Sequence, residues 1–443
     1  MTATEPLSSF VADLTYADLP EDVRSRAGLV LADTIGAIIG GSTTQPVRTL
    51  QEEYAGRYTG PSTVLGTDSS VPVLRAALLN GIAGTVLELD EGHRRAAGHP
   101  AIHVLPPLLA FAEADGGGGR SFMTAFVAGY EAAVRVAQAT NPLAEGYHPH
   151  GVWGVVGAAA ALANYTKMDT QSVTTALDIA ANHAQHTRFE AALEGATVRD
   201  TYAGMSGPDA ILAVDQARSG FTGLKQGVSR HLEGASKKGF STISTESLGD
   251  QWKLTEGYFK LHAACRYTHP ALDGIDELTS RYSVDAESIT EVSVETYPAA
   301  ASLNDPEPQT RLGAKFSIPF ALASRIIHGH SGKEAFEPDA LRPEVYELAR
   351  RISVESTAEF TAAAPDARGA RVTVNTSGNC YSTTIEQARG GVEHPFNEQQ
   401  LCEKFQSLVE PALETAKAEK AWSTALAVPA VDVPTLCTTA SPL

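Results

Sequence analysis

From residue 18 to residue 41 the chain repeats its apolar positions with a helical period. Val23, Ala27, Val30, Leu31, Thr34, Ile35 and Ile38 recur three or four apart. Asp18-Leu19-Pro20-Glu21-Asp22 supplies a capping residue, an early proline and first-turn acids, and Gly40-Gly41 reads as the stop. The same periodicity predicts helices at about 73 to 88, 121 to 138, 151 to 165, 170 to 184 and 208 to 219. No stretch in the first 260 or so residues alternates like a strand over any length, so this part reads as helical.

The texture changes after about residue 270. Ile289 to Tyr297 is rich in β-branched residues, and Arg371 to Ile385 predicts a hairpin turning at Ser377-Gly378-Asn379. Helices are expected at Ser317 to Gly329 and at Pro343 to Ile352. This is an α+β unit of roughly 120 residues. Glu398 to Leu413 returns to an amphipathic helix that can rejoin the first part, which makes the α+β unit an insertion.

The chain has 443 residues, 43% of them apolar, an ordinary globular composition. The net charge of -18 argues against nucleic acid and anionic membranes as partners, since both would repel it. The four cysteines lie far apart and lack CxxC spacing, which suits a reducing compartment. The start of the chain lacks a basic, apolar leader, and no run of about 18 apolar residues occurs. A soluble, cytoplasmic protein is expected. No phosphate-binding GxxxxGK[ST] loop, HExxH, GxSxG elbow or GxGxxG follows the expected elements.

Chemistry concentrates in three clusters. Glu88 to His103 is a charged loop that admits three readings: solvated surface, a metal pair at His99 and His103, or a site. Gly146-Tyr147-His148-Pro149-His150-Gly151 precedes a small-residue helix; the rings either pack there, or an imidazole moves a proton beside an anion held at the helix start. Phe259 to Pro270 places Lys260, Arg266 and His269 where helical texture gives way to α+β, a patch suited to a tricarboxylate. His183, His186 and Arg188 are read as an exposed polar patch on a helix, and His328 and His330 as a helix end. Trp153 reads as core and Cys265 as a small buried residue.

Several stretches carry a family resemblance: "LADTIGAIIGG", "NGIAGTVLELDEGHRRAAGHPAIHVLPPLLAFAEA", "GYHPHGVWGVVGAAAA", "RSGFTG", "HAACRYTHPALDGIDEL" and "AKFSIPFALA". Together, in this order from about residue 10 to residue 413, they resemble the MmgE/PrpD family. That family includes 2-methylcitrate dehydratase, cis-aconitate decarboxylase and iminodisuccinate epimerase. The resemblance implies a mainly α fold: a large all-α domain formed by both chain ends (1-266 and 395-443) and an inserted α+β lid domain (267-394). It also implies a homodimer, a small polycarboxylic acid as substrate, and an active site without metal or organic cofactor.

By motif position, the resemblance puts His99, Tyr147, His148 and Lys260 in catalytic places. Asp90, Glu91, Arg199, Tyr202, Arg266 and His269 fall in substrate-binding places. The chain departs from the family pattern at Arg199, where a lysine is usual, at Tyr202 for histidine and at Phe320 for tyrosine. Asp90-Glu91-Gly92 replaces an Asp-Asp-Thr pattern, and Arg94 and Arg95 are added. Arginine stays protonated, so Arg199 suits clamping a carboxylate rather than serving as a base. The expected mechanism has Arg199, Lys260 and Arg266 holding carboxylates while a pair drawn from Tyr147, His148 and His99 exchanges the α proton. A 2-methylcitrate dehydratase-like lyase leads, with an epimerase, a decarboxylase or a non-catalytic carboxylate binder as alternatives.

Overall fold

The computed structural model describes residues 4–282, 284 and 286–442. Its helical part is built from α1 (Glu5–Asp13), α2 (Glu21–Ser42), α3 (Gln45–Ala55), α4 (Val73–Thr85) and α5 (Pro100–Ala114). It continues with α6 (Gly119–Thr140), α7 (Gly154–Tyr165), α8 (Thr170–Asn182) and, beyond shorter turns, α9 (Tyr202–Arg218). The fold is mainly α, as expected.

Small residues set the helix spacing. Gly40 and Gly41, expected to stop α2, lie inside it instead. A Cβ on Gly41 would stand 1.8 Å from the Ala83 carbonyl oxygen, so the glycine lets α2 and α4 touch backbone to backbone. The helix ends where the Thr43 and Thr44 hydroxyls donate back to the Gly40 and Gly41 carbonyls. The alanine run of α7 works similarly: a Cβ on Gly129 of α6 would meet Ala161 Cβ at 2.6 Å, and one on Gly157 would meet Ala133 Cβ at 2.4 Å. Larger side chains would push these helices apart.

The α+β unit opens with α10 (His269–Arg281), followed by strand β1 (Ile289–Thr296), α11 (Ile318–His328) and α12 (Pro343–Ala349). The remaining strands, β2 (Ile352–Ser356), β3 (Ala370–Thr376) and β4 (Cys380–Ile385), join β1 in one sheet of order β2-β1-β3-β4. The β3–β4 hairpin turns at the expected residues. The predicted helix over Pro343 to Ile352 ends early, because Ile352 to Ser356 pairs in parallel with Val292 to Thr296. Ile352 and Val354 are too few to advertise a strand; the neighbouring strand supplies its hydrogen bonds. Gly274 of α10 lies flat against Val372 of the sheet.

The chain then returns through α13 (Glu398–Val409), started by an Asn397/Gln400 capping box. α13 packs on α2: Phe405 fills the space left by Gly36, and buried Lys404 donates to Asp33 and to the Leu89 carbonyl, both at 2.6 Å. One continuous apolar core runs through helices and sheet. No single helix among the described residues is long and apolar enough to cross a membrane.

Candidate active site

α4 ends at Thr85, and the chain reaches α5 only at Pro100. Most of the intervening charge run is not a solvated face: Glu88, Asp90, Glu91, His93 and His99 are buried, while Arg94 is half-buried and Arg95 exposed. Backbone bonds clamp it, with Gly92 and Tyr258 exchanging N–H and carbonyl at 3.0 and 2.7 Å and the His93 N–H donating to Gly98 at 2.8 Å. Glu88 adopts a left-handed φ of 56°, unusual for a residue with a side chain. Such a conformation persists only where surrounding contacts enforce it.

Those contacts are ionic. The Glu88 carboxylate pairs with Arg199 and lies 3.4 Å from Lys260 Nζ. Arg199 also faces Asp200 at 3.7 Å and sits over the Phe316 ring. Lys315 donates to the Val86 carbonyl at 3.0 Å, and its own carbonyl accepts from Cys265. Burial alone would raise the Glu88 carboxyl, but Arg199 and Lys260 outweigh it and bring its pKa down to about 2. Burial pushes Asp200 up to about 6 and Lys315 down to about 8.

Against this ionic group stands a cluster of imidazoles. His99 Nδ1 bonds the Glu91 carbonyl at 2.8 Å, which orients the ring, and lies 3.0 Å from Asp90 Oδ2. The His150 ring sits at the centre, with centroids 5.1 Å from His99, 5.0 Å from His103 and 4.7 Å from His148. His148 stacks on Phe189 and meets the edge of Tyr202, both at 5.5 Å. Burial, followed by nearby Arg199, drives His148 well below the usual imidazole range. Burial does the same to His150, and lowers His103 to about 3. These rings are therefore neutral near pH 7, and the same burial disfavours their protonated form. Neither ring nitrogen of His150 has a hydrogen-bond partner among the described residues.

Asp90, His99, His148, Arg199, Tyr202 and Lys260 therefore lie in one buried neighbourhood. Of the other predicted site residues, Tyr147 and Glu91 turn their side chains away from it, while His269 lies within electrostatic reach of Lys260. Tyr147 turns its half-buried ring to His186 and Arg188, because residues 146–148 bridge to the chain at 187–189. Glu91 points into the core, accepting from the Tyr130 hydroxyl at 2.5 Å and from the Ala101 N–H at 3.3 Å. Burial lifts its pKa to about 8. Arg266 reaches the Ala388 and Arg389 carbonyls, and His269 is held by Arg266 and the Ala264 carbonyl. Phe320 is fully buried against Phe336 and Tyr346.

His183 caps α8 and His186 lies beyond it, off the helix where that patch was expected. His103 bonds Ser206 at 2.7 Å, and neither His99 nor His103 belongs to a metal-like grouping among the described residues. Among the described residues, metal-like spacing occurs at His262, Asp273 and Asp276, whose carboxylates are already paired with Arg389 and Arg325.

Sequence reasoning passed over Glu88, Asp200, Lys315 and His150 as site residues. The legible signal was weak: Glu88 and His150 stood inside the quoted clusters, and Lys315 inside the AKFSIPF stretch. Nothing local marks which member of such a stretch points inward.

A mainly α chain with an inserted α+β unit, burying acids, bases and cations beside their junction, has the architecture of an acid–base enzyme. Two family models match it: the MmgE/PrpD N-terminal domain over residues 5–246 and the MmgE/PrpD C-terminal domain over residues 262–428. The chain belongs to the MmgE/PrpD family. It is 25% identical to a cis-aconitate decarboxylase-like protein of Aspergillus oryzae, the match covering 94% of this chain and 92% of that protein. It is 24% identical to a cis-aconitate decarboxylase of Aspergillus terreus (91% and 89% covered) and 27% identical to that of Homo sapiens (80% and 76% covered). At family level these relatives support lyase-type chemistry.

Proposed function

We propose that this protein is a lyase for a small polycarboxylic acid, eliminating water after proton removal from a carbon next to a carboxylate. The observation that carries this reading is the placement of neutral His148 and His150 beside the Arg199–Glu88–Lys260 group, with the Asp90–His99 pair across His150. Elimination needs a base at carbon and an acid at the departing oxygen. A neutral imidazole accepts the carbon-bound proton, while His99, held by the Glu91 carbonyl beside Asp90, hands a proton to the hydroxyl as it leaves as water and the double bond forms. Arg199, always charged, takes up the negative charge growing on the substrate carboxylate.

Decarboxylation is the second reading, favoured by the names of the relatives, which cover most of this chain. There the bond to the carboxyl carbon breaks, carbon dioxide leaves, and the imidazole cluster supplies the proton that replaces it.

Proton NMR in deuterium oxide separates these outcomes. The protein is incubated with 2-methylcitrate, citrate, cis-aconitate and succinate- or aspartate-derived diacids. Exchange next to a carboxylate with water loss supports the first reading, and loss of carbon dioxide supports the second. His99→Gln and His148→Gln are each expected to lower turnover by about 10²- to 10⁴-fold with the circular dichroism spectrum intact. Folded protein inert towards the whole panel, or variants as active as the parent, would sink the proposal.

A further inference from the structure

Hydrogen bonding sets His150 apart from the three imidazoles around it, each of which has one ring nitrogen committed. His99 Nδ1 faces two acceptors, the Glu91 carbonyl and Asp90, so it carries a proton. The Ser206 hydroxyl gives its one hydrogen to the Ala203 carbonyl at 2.7 Å and therefore accepts from His103 Nδ1, also at 2.7 Å. His148 Nδ1 accepts from the His150 backbone N–H at 3.2 Å, which spends the lone pair of the neutral ring and puts its proton on Nε2. His150 is buried edge-on against all three rings, and among the described residues neither of its own ring nitrogens has a partner.

A narrow cleft leads from His150 towards the surface. Buried His150, Tyr202 and Ser206 line its inner end, and Ala184, Gln185 and Asp209 its outer end, where Gln185 is exposed. Gln185 donates to Asp209 Oδ2 at 3.0 Å. The space amounts to about 10 Å³, room for a single water molecule, and polar groups lie at both ends.

A proton taken from carbon inside a buried site has to reach solvent before the next turnover. A ring with one nitrogen tied to a fixed partner takes and gives protons at the other nitrogen alone. A ring free at both accepts at one nitrogen and releases from the other, so the proton crosses the ring. Burial also keeps such a ring from retaining the charge, which favours passing the proton on.

We propose that His150 is the proton relay between the buried imidazole cluster and solvent, passing substrate-derived protons to one water molecule in this cleft. The relay rests on the proton-removal reading above and adds to it a route and a residue. Only N–H and O–H bonds change: a proton arrives at one ring nitrogen, the other nitrogen releases its own to the water, and the water gives one up at the cleft mouth. The ring is left as its other tautomer, which no fixed bond opposes.

Heteronuclear NMR of the full chain with isotopically labelled histidine rings, without substrate, reads the route directly. The His150 signals are assigned by their absence in His150→Gln. His103 and His148 are expected to hold their ring protons on Nδ1 and Nε2 respectively, and the His150 ring proton to exchange with water about tenfold faster than theirs. Ala184→Leu, which fills the cleft mouth, should slow that exchange by about tenfold while the thermal melt is unchanged. Turnover is then followed on whichever acid of the panel reacts, deuterated at the carbon that loses its proton. The parent should release the deuterium to water, and His150→Gln should lower kcat by about 10²-fold or more. Ala184→Leu should lower kcat and raise the solvent isotope effect with KM unchanged, a signature that altered packing alone does not give. The relay is overturned if the His150 ring proton exchanges no faster than those of His103 and His148, if Ala184→Leu leaves its rate unchanged, or if His150→Gln turns over as fast as the parent. Folded protein inert towards the whole panel sinks the proposed reaction instead, and ring exchange still decides whether the cleft carries protons.

Discussion

Replacing Glu88 with Gln keeps the side-chain shape and removes one buried charge. Arg199 and Lys260 would then share a dry pocket with no carboxylate between them, with Asp200 and Asp90 as the acids remaining near Arg199. The size of the effect follows from the ionic group itself. Lowering the Glu88 pKa from 4.5 to about 2, against burial that pushes it the other way, corresponds to about 3 kcal/mol. Breaking one side of a buried ion pair costs about 3–5 kcal/mol, the same order. The sign with pH is definite: a carboxyl depressed in the folded state contributes fully above about pH 4.5 and loses that contribution as pH falls towards 2. Denaturant unfolding at pH 7 should therefore show Glu88→Gln less stable by about 3 kcal/mol, with an unchanged slope. Its stability should also fall less steeply than the parent's between pH 4.5 and 2. A variant within about 0.5 kcal/mol of the parent at pH 7, with the same acid limb, would refute the assignment of Glu88 as the counter-ion of this site.

Three further outcomes follow from other buried groups. Glu91, raised by burial to about 8, keeps its proton when folded, so its contribution is present below pH 4.5 and is lost as pH rises to 8. Glu91→Gln should therefore gain thermal stability relative to the parent from pH 5 to pH 8.5, whereas parallel curves would contradict the protonated core carboxyl. Lys404→Met leaves Asp33 buried without its cation and is expected to cost about 3–5 kcal/mol in denaturant unfolding, with partial recovery in the Asp33→Leu/Lys404→Met pair. Gly41→Ala forces α2 and α4 apart and should cost about 1–3 kcal/mol, while Gly378→Ala, with open space at the hairpin tip, should stay within about 0.5 kcal/mol; equal effects would argue against close helix contact.

Periodicity alone was enough to place α2, α6, α7, α8 and the β3–β4 hairpin, because a helix or hairpin announces itself through neighbours a few residues away. The same local view misread Gly40-Gly41 as a stop and ran the helix from Pro343 on to Ile352, where the strand Ile352–Ser356 begins. In both, the deciding partner is distant in sequence: Ala83 for the glycines and β1 for the strand. Motif likeness singled out Asp90, His99, His148, Arg199, Tyr202 and Lys260, which the fold brings together, along with Arg266 and His269, and also Tyr147 and Glu91, whose side chains the fold turns elsewhere.

What the amino-acid order determined by itself was the mainly α class, the inserted α+β texture, the family, and the clusters in which chemistry would be found. Only the tertiary structure decided that Glu88, Asp90, Glu91, His93 and His99 of the charge run are buried while Arg95 is exposed, and that Glu88 sits between Arg199 and Lys260. The reason is physical. Whether a charge is solvated or paired depends on groups such as Lys260 and Lys404, which lie 172 residues from Glu88 and 371 from Asp33, and a local pattern carries no record of contacts at that range.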